Sequence, residues 1–185
     1  MGLFRLYLSL EKKLKNWKLR EYNKYLNKKI TSPYKVRFSH DVRIANIENI
    51  KFGHNVFIGE GAFIRAVGGL SIGDNVIISR NVLIYTNSHN YEGESLPYGD
   101  THIHKKVTIE DNVWIGMNVS IAPGTYIEEG AIIGIGARIF GRIPKGAIVG
   151  SHGKIIKYRD MERYERLKRE KKFADDSGKL VGEKA

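Results

Sequence analysis

Large aliphatic or aromatic residues recur every six positions through most of this chain, and no other feature restricts its fold as strongly. Two long series of them are separated by a polar stretch, and two steps, at 44–52 and 64–72, are eight residues long. Their members are Phe38, Ile44, Phe52, Ile58, Ile64, Ile72, Ile78, Ile84, Ile109, Ile115, Ile121, Ile127, Ile133 and Ile139. Most positions four residues further on are small or β-branched, and turn-forming segments such as "IGDN" and "IEDN" fall between.

A period of six fits neither of the common secondary structures. A helix repeats every 3.6 residues and an isolated strand every 2, and the density of Gly and Asn also disfavours a helix. Hexads rich in β-branched residues are typical of a solenoid in which each hexad is a short strand plus a turn and three hexads form one triangular coil. The alternative, a β-sandwich with coincidental spacing, is disfavoured by so many matches in register. We therefore predict an all-β solenoid.

Several segments resemble the hexapeptide-repeat acyltransferases, whose fold is a left-handed parallel β-helix. The resemblance covers about residues 36–158 and includes "IGDNV", "VWIG", "APGTYIEEGAIIGIGARI" and "IPKGAIVGSHGKIIKYR". Within that superfamily the chain is most similar to the maltose and galactoside O-acetyltransferases and to acetyltransferases of surface-polysaccharide gene sets. The resemblance implies a homotrimer that uses acetyl-CoA as acyl donor, with active sites between neighbouring subunits.

We divide the chain into three parts. Residues 1–30 form a basic amphipathic helical segment, and residues 31–146 form the β-helix, from which a loop at 86–106 is extruded. Residues 147–185 supply a strand, a helix and a tail whose last dozen residues we predict to be disordered. Pro144 marks the end of the repeat, because a proline has no N–H to donate to a β-ladder.

The net charge of +11 belongs to the two ends of the chain. Residues 1–30 carry nine Lys and Arg against two Glu, and residues 151–185 carry eleven against seven acidic residues. The stretch between them, 31–150, has eleven of each sign. A nucleic-acid binder is expected to carry a basic face with interleaved aromatic residues on its folded part, so we predict no nucleic-acid partner.

Apolar residues at positions 3, 7, 10, 14 and 17 predict an amphipathic helix, or two, with a lysine-rich outer face. We expect it to pack on the solenoid or on a neighbouring subunit. The alternative is peripheral contact with the inner face of a membrane, which Phe4, Trp17 and the lysines favour. No apolar run reaches the roughly 18 residues that span a bilayer. Cysteine is absent, which agrees with a cytoplasmic location.

His89 lies in the polar segment "YTNSHNYEG" and matches the catalytic histidine of the family by its place after the hexad that begins at Ile84. Long polar loops on compact folds are usually functional. A neutral imidazole suits a general base that takes a proton from an attacking hydroxyl or amine at cellular pH. Its other ring nitrogen then needs an acceptor, such as a backbone carbonyl. A single histidine in a loop is ordinarily a solvated residue without a catalytic role. The resemblance to the family favours a catalytic role for His89 instead.

Other positions match acceptor-binding places in the family. Arg65 falls where several relatives carry an asparagine that touches the acceptor, although a surface charge explains it equally well. Asn87, Tyr98 and Asp100 lie in the same loop as His89 and are candidates to meet the acceptor. Trp114 matches a tryptophan that lines the acyl-transfer site in relatives, and hexad geometry places it outside the core. Packing at a subunit interface is the alternative role for Trp114.

The resemblance assigns coenzyme binding to the last coils and the segment that follows them. Trp114, Met117, Gly134 and Ile135 are expected along the pantetheine arm, and Gly136 lies beside them. Relatives often carry serine at the position of Met117, so an oxyanion donor there has to be a backbone N–H. The basic residues expected at the CoA phosphates are Arg142, Lys154 and Lys157. The alternative is that "GKIIKYR" is only a solvated strand or the start of a helix.

His102 and His104 suggest a metal site, because alternate residues of a strand share a face. Two histidines are too few for a closed site, so we predict no metal. The function we predict is an acetyl-CoA-dependent O-acetyltransferase that acts on a sugar or polysaccharide precursor. One alternative is an N-acetyltransferase that acts on an amino sugar or an antibiotic. The other is a non-catalytic trimeric scaffold held at a membrane by residues 1–30.

Overall fold

The computed structural model describes residues 2–30 and 32–181, and in it the hexads form a parallel β-helix. Three sheets make the faces of a prism, with successive strands passing from sheet A to sheet B to sheet C, and all of their pairs are parallel except the last pair of sheet A. Sheet A holds seven strands, and sheets B and C hold five each. The predicted solenoid is confirmed.

The strands are short, and each contributes one rung to its sheet. Sheet A contains β1 Arg37–Phe38, β4 Phe57–Ile58, β7 Ile77–Ile78, β12 Trp114–Ile115, β15 Ile132–Ile133, β18 Ala147–Val149 and β19 Ile155–Tyr158. Sheet B contains β2 Arg43–Ala45, β5 Phe63–Arg65, β8 Leu83–Tyr85, β13 Ser120–Ile121 and β16 Arg138–Ile139. Sheet C contains β3 Ile50–Phe52, β6 Leu70–Ile72, β11 Val107–Ile109, β14 Tyr126–Ile127 and β17 Arg142–Ile143.

The residues of the six-residue register form the core. All of them are buried except Ile44, which is half-buried and packs against the rest. Equivalent residues of successive coils are paired, as in the series Ile58, Ile78, Ile115 and Ile133 along sheet A. Burial of each such isoleucine contributes roughly 1.5–3 kcal/mol. The spacing in the sequence is therefore the spacing of the coil.

A ladder of asparagines lines the corner where sheet C turns into sheet A. Asn55, Asn75 and Asn112 all have positive φ, which asparagine tolerates better than most residues. The amide of Asn55 donates to Asn75 Oδ1 at 3.0 Å, and that of Asn75 donates to Asn112 Oδ1 at 3.1 Å. The next coil has Gly130 at this place, and the ring of Tyr164 fills the space, with its hydroxyl accepting from Asn112 at 3.0 Å.

Helix α1, Gly2–Lys29, covers the first coil with its second half. Leu26 is buried there, and the amides of Asn23 and Asn27 bond the backbone of residues 36–38, on both N–H and C=O groups. These side chains satisfy backbone groups at the open edge of β1 that no further strand reaches. Packing of the helix against the solenoid is thus seen for this half only. In the described part of the chain, no helix has the length and apolarity to span a bilayer.

The β-helix continues past the boundary predicted at residue 146. Strand β18 pairs in parallel with β15, and β19 then pairs antiparallel with β18. Pro144 lies in the last turn after sheet C. In the preceding coil the equivalent residue is Glu128, and its backbone N–H donates to the carbonyl of Ile143 in the next coil. Among the described residues β17 is the last strand of sheet C, so the missing N–H of Pro144 costs no ladder hydrogen bond.

Helix α2, Met161–Arg169, and the segment after it fold back over sheet A. Asp160 caps the helix by accepting from the backbone N–H of Arg163 at 3.0 Å. Further on, the carbonyl of Ala174 accepts from Asn55, and Asp176 forms an ion pair with Arg37 of the first coil. The prediction of a disordered tail does not describe residues 174–181, because these contacts hold them. Residues 182–185 lie outside the described residues.

Candidate active site

A two-stranded ribbon leaves the β-helix between β8 and β11, at the corner between sheets B and C. Its strands are β9, Asn87–His89, and β10, His102–His104, which pair antiparallel. Thr86 secures its base, since its hydroxyl accepts from Gly68 N at 2.7 Å and its carbonyl accepts from Lys105 N at 2.9 Å. The predicted extruded segment is thus an ordered projection with its two ends closed on each other.

His89 is exposed on this ribbon and is held by aromatic contacts. Its ring stacks on that of Tyr98, with 3.8 Å between the centroids, and the His102 ring lies 4.6 Å away at 41°. The backbone carbonyl expected to hold the second ring nitrogen is not found within residues 2–30 and 32–181. Stacking therefore orients the imidazole in this structure and leaves both ring nitrogens available.

The other acceptor candidates lie at the base of the ribbon and in the loop that connects its strands. Arg65 is exposed on sheet B and lies beside Tyr85, two residues before β9. Asn87 is only 7% exposed, and its Oδ1 has no hydrogen-bond partner among the described residues. Asp100 is exposed near the start of β10. Of the predicted acceptor residues, Tyr98 is the one that the structure places in contact with His89.

Trp114 lies on a different face, in an open groove of about 930 Å³ along sheet A. Among the residues that line the groove are Phe57, Ile77, Trp114, Met117, Gly134 and Ile135. Trp114 is 51% exposed, as hexad geometry predicts, and its Nε1 donates to Ser79 Oγ at 3.3 Å. Four of the predicted coenzyme residues therefore share one apolar groove.

Gly134 has a structural reason to be glycine, apart from any ligand. A Cβ at this position would lie 2.6 Å from the carbonyl oxygen of Val149 in the next coil. The coils can approach this closely only without a side chain at that place. By contrast, the N–H of Met117 makes none of the backbone hydrogen bonds that its neighbours Gly116 and Asn118 make. Met117 is thus an exposed position in this turn whose backbone N–H is unpaired among the described residues.

The basic residues predicted at the CoA phosphates do not lie together. Lys154 and Lys157 are exposed at the end of sheet A, in and just before β19. Arg142 is on sheet C, where its Nε donates to Glu128 Oε1 at 2.5 Å and its guanidinium lies 4.8 Å from the Tyr126 ring centre. The hydrogen bond from Arg142 lowers the pKa of Glu128. Arg142 is therefore already engaged on another face.

Sequence reasoning missed some residues of the groove. Ser79 and Arg80 line it one coil below Gly116 and Met117, and stacking of the hexads would have found them. Asp175 and Asp176 line it from the returning tail, which no repeat predicts. A second cleft, of about 880 Å³, lies between α1 and the first coil and contains none of the predicted site residues.

Metal ligation finds no support among the described side chains. No group of three or more His, Cys, Asp or Glu residues there is placed to hold an ion. The rings of His102 and His104 are 6.4 Å apart between centroids.

Comparison with known proteins agrees with this architecture. Residues 106–141 match the family described as bacterial transferase hexapeptide (six repeats), and residues 50–86 match the hexapeptide repeat of succinyl-transferase. These two segments are therefore similar to hexapeptide-repeat sequences. The two matched segments flank the ribbon that carries His89, so the ribbon is an insertion between two stretches of the hexapeptide repeat.

Named proteins that are similar to this chain are acetyltransferases. A putative acetyltransferase of Schizosaccharomyces pombe is 36% identical over 110 residues, covering 59% of this chain and 53% of the relative. The putative lipopolysaccharide biosynthesis O-acetyl transferase WbbJ of Escherichia coli is 30% identical over 117 residues, covering 58% and 60%. A Vibrio cholerae hexapeptide-repeat acetyltransferase, solved with acetyl coenzyme A, is 26% identical with a TM-score of 0.62, covering 70% of each chain. The chain thus spans little more than half the length of the curated relatives it matches.

Proposed function

We propose that this chain is an acetyl-CoA-dependent O-acetyltransferase that acts on a hydroxyl of a sugar or polysaccharide precursor, with His89 as general base. The observation that carries the proposal is the ribbon, which holds an exposed, stacked imidazole on a rigid β-helix. The name of WbbJ supports O-acetylation, and the acetyl coenzyme A complex of the Vibrio cholerae protein supports the donor.

In the proposed reaction, neutral His89 accepts the hydroxyl proton as the acceptor oxygen attacks the thioester carbonyl. The ester C–O bond forms, the C–S bond of acetyl-CoA breaks, and the His89 imidazolium returns its proton to the departing sulfur. The products are the O-acetyl ester and free CoA. The thioester is already activated, so no acyl-enzyme is required. A positioned base increases the reaction rate by about 10²–10⁴-fold. The proposed oxyanion donor is the backbone N–H of Met117.

We propose further that the working unit is a homotrimer. In one chain, the ribbon leaves the corner between sheets B and C, whereas the Trp114 groove lies on sheet A. One copy therefore does not bring His89 to the groove, and a neighbouring copy has to supply one of the two. In this arrangement the pantetheine arm occupies the groove along Trp114, Met117, Gly134 and Ile135, with Lys154 and Lys157 at the phosphates.

The decisive experiment is transfer of labelled acetyl from acetyl-CoA to a panel of neutral sugars and amino sugars. His89→Ala should lower turnover at least about 100-fold, while acetyl-CoA still raises the melting temperature. The matched control is His54→Ala, an exposed histidine in a turn on a different corner, which should keep normal turnover. Near-normal turnover in His89→Ala contradicts the assigned base. Label on amino groups only would show an N-acetyltransferase, and the absence of both binding and transfer would leave the scaffold alternative.

A further inference from the structure

The first half of α1 presents large apolar side chains that none of the described residues covers. Between positions 3 and 17, eight of them are 46–85% exposed: Leu3, Phe4, Leu6, Tyr7, Leu8, Leu10, Leu14 and Trp17. Single exposed apolar residues are ordinary, but a continuous apolar surface of this kind marks an interaction site.

The chain's own β-helix cannot cover this surface while the second half of α1 stays docked. Tyr22 and Leu26 face the first coil, and the Tyr22 hydroxyl donates to the carbonyl of Val42 at 2.6 Å. At about 100° per residue, the row at positions 3, 7, 10 and 14 is turned by roughly 110° from Tyr22 and Leu26. Phe4 and Leu8 lie on the same side as Tyr22 and Leu26 but stay exposed in the first half of the helix, so apolar side chains surround this part of α1.

Basic residues follow the apolar tip and surround the helix. Lys12, Lys13, Lys15, Lys18 and Arg20 lie between positions 11 and 20, where Glu11 is the only acidic residue. Of these five, only Lys15 has a carboxylate partner among the described residues, with Glu11 at 3.3 Å. Along its axis the helix thus presents an apolar tip, then a positively charged collar that includes Trp17, and then its anchor on the β-helix.

We infer that α1 docks the protein on an anionic lipid surface, with the apolar side chains of residues 3–10 among the acyl chains and with Arg5 and residues 12–20 reaching the headgroups. An apolar tip followed by Lys, Arg and Trp matches the change from hydrocarbon to charged interface. A second copy is the other possible occupant, since the row at 3, 7, 10, 14 and 17 has coiled-coil spacing. Phe4, Leu6 and Leu8 lie off that row and would stay exposed, and like-charged collars would be brought together. A bilayer covers the whole tip and neutralises the collar.

The test is co-sedimentation of the full chain with phosphatidylcholine vesicles, with and without phosphatidylglycerol. We expect binding to the anionic vesicles at least about tenfold tighter than to neutral ones, weakened by salt, with a blue shift of Trp17 fluorescence in a Trp114→Phe background. No binding to anionic vesicles, or equal binding to both kinds, overturns the proposal.

Variants on exposed positions separate the apolar and the charged contributions without disturbing the fold. Phe4→Glu with Leu8→Glu should abolish binding, and Lys12→Glu with Lys13→Glu should weaken it at least about tenfold. The matched control is Leu96→Glu, a 95% exposed leucine outside the helix, which should bind like the parent protein. If Phe4→Glu with Leu8→Glu instead lowers the mass by light scattering and leaves vesicle binding unchanged, the surface belongs to a second copy and the proposal fails.

Discussion

Tyr98 lies face to face with His89, with 3.8 Å between the ring centroids and 17° between the ring planes. A stacked aromatic pair contributes about 0.5–1.5 kcal/mol, which favours one ring orientation several-fold. Replacement of Tyr98 by alanine removes this preference. We expect kcat to fall about 3–10-fold and KM for acetyl-CoA to stay within about twofold, as measured by steady-state kinetics.

Tyr98→Phe is the matched control, because it keeps the ring and removes only the hydroxyl. It should retain kcat within about twofold if Tyr98 positions His89. Equal losses in both variants would show that the hydroxyl itself acts on the acceptor, and the positioning role would be wrong.

Lys154 and Lys157 are expected to bind the coenzyme phosphates, whereas Arg142 is not. The double variant Lys154→Ala with Lys157→Ala should raise KM for acetyl-CoA at least about tenfold, because two charge-assisted contacts are lost. Arg142→Ala should change it less than about twofold, since Arg142 is paired with Glu128 on sheet C. Kinetics with acetyl-CoA and its 3′-dephospho analogue measure both effects. A larger effect from Arg142 would reverse the assignment.

Substitutions of Ile115 and Ile135 are expected to have different effects, the first on stability and the second on coenzyme binding. Ile115 is fully buried, so Ile115→Ala should lower the free energy of unfolding by about 2–5 kcal/mol. Ile135 is 57% exposed and lines the groove, so Ile135→Ala should leave stability within about 0.5 kcal/mol and raise KM for acetyl-CoA. Denaturant unfolding and kinetics test the pair. Similar destabilisation in both variants would contradict the burial pattern.

Glu129 makes the end of the asparagine ladder sensitive to acid. Burial by itself raises the pKa of this carboxyl, but hydrogen bonds from Lys168 and Tyr164 outweigh it and hold the pKa below its usual value. A depressed pKa contributes stability that is present above the unfolded pKa and is lost as pH falls through the folded value. Glu129→Gln should therefore be less stable than the parent at pH 7, and the difference should shrink below about pH 4. Urea unfolding across pH measures this, and a difference independent of pH would refute it.

The hydroxyl of Tyr164 is predicted to stabilise the fold. That group accepts from Asn112 and donates to Glu129 at 2.9 Å, while its ring covers Gly130. Tyr164→Phe keeps the ring and leaves the Asn112 amide without this partner, which should cost about 1–3 kcal/mol. A fall in melting temperature of several degrees is expected, and an unchanged melting temperature would show that solvent replaces the hydroxyl.

The sequence was sufficient for the β-helix because the information is local and repeated. A buried residue such as Ile78 packs between the equivalent residues of the two adjacent coils, Ile58 and Ile115, and this arrangement repeats along the series. The same register predicts that Trp114 points outward and that residues 86–106 leave the coil. Each of these inferences needs only the spacing along the chain.

The site's detailed contacts could not be predicted because they join distant segments. The stack of Tyr98 on His89 depends on the path of the ribbon, and the pair of Asp176 with Arg37 depends on a tail that returns along sheet A. Arg142 was assigned to the phosphates by its position in the chain, yet the turn of the coil places it on sheet C beside Glu128. The six-residue repeat therefore does not predict these contacts.

Strand β19 determines where the molecule stops. A stack of parallel rungs has no geometric limit, and an open rung could recruit another copy and lengthen into a fibre. By running against β18, β19 blocks further parallel addition on sheet A, and the last rungs of sheets B and C carry Arg138 and Arg142, whose charges discourage it. At the other end, Asn23 and Asn27 of α1 cover the edge of β1 in sheet A. Reversal of a single strand thus gives a repetitive chain a finite length.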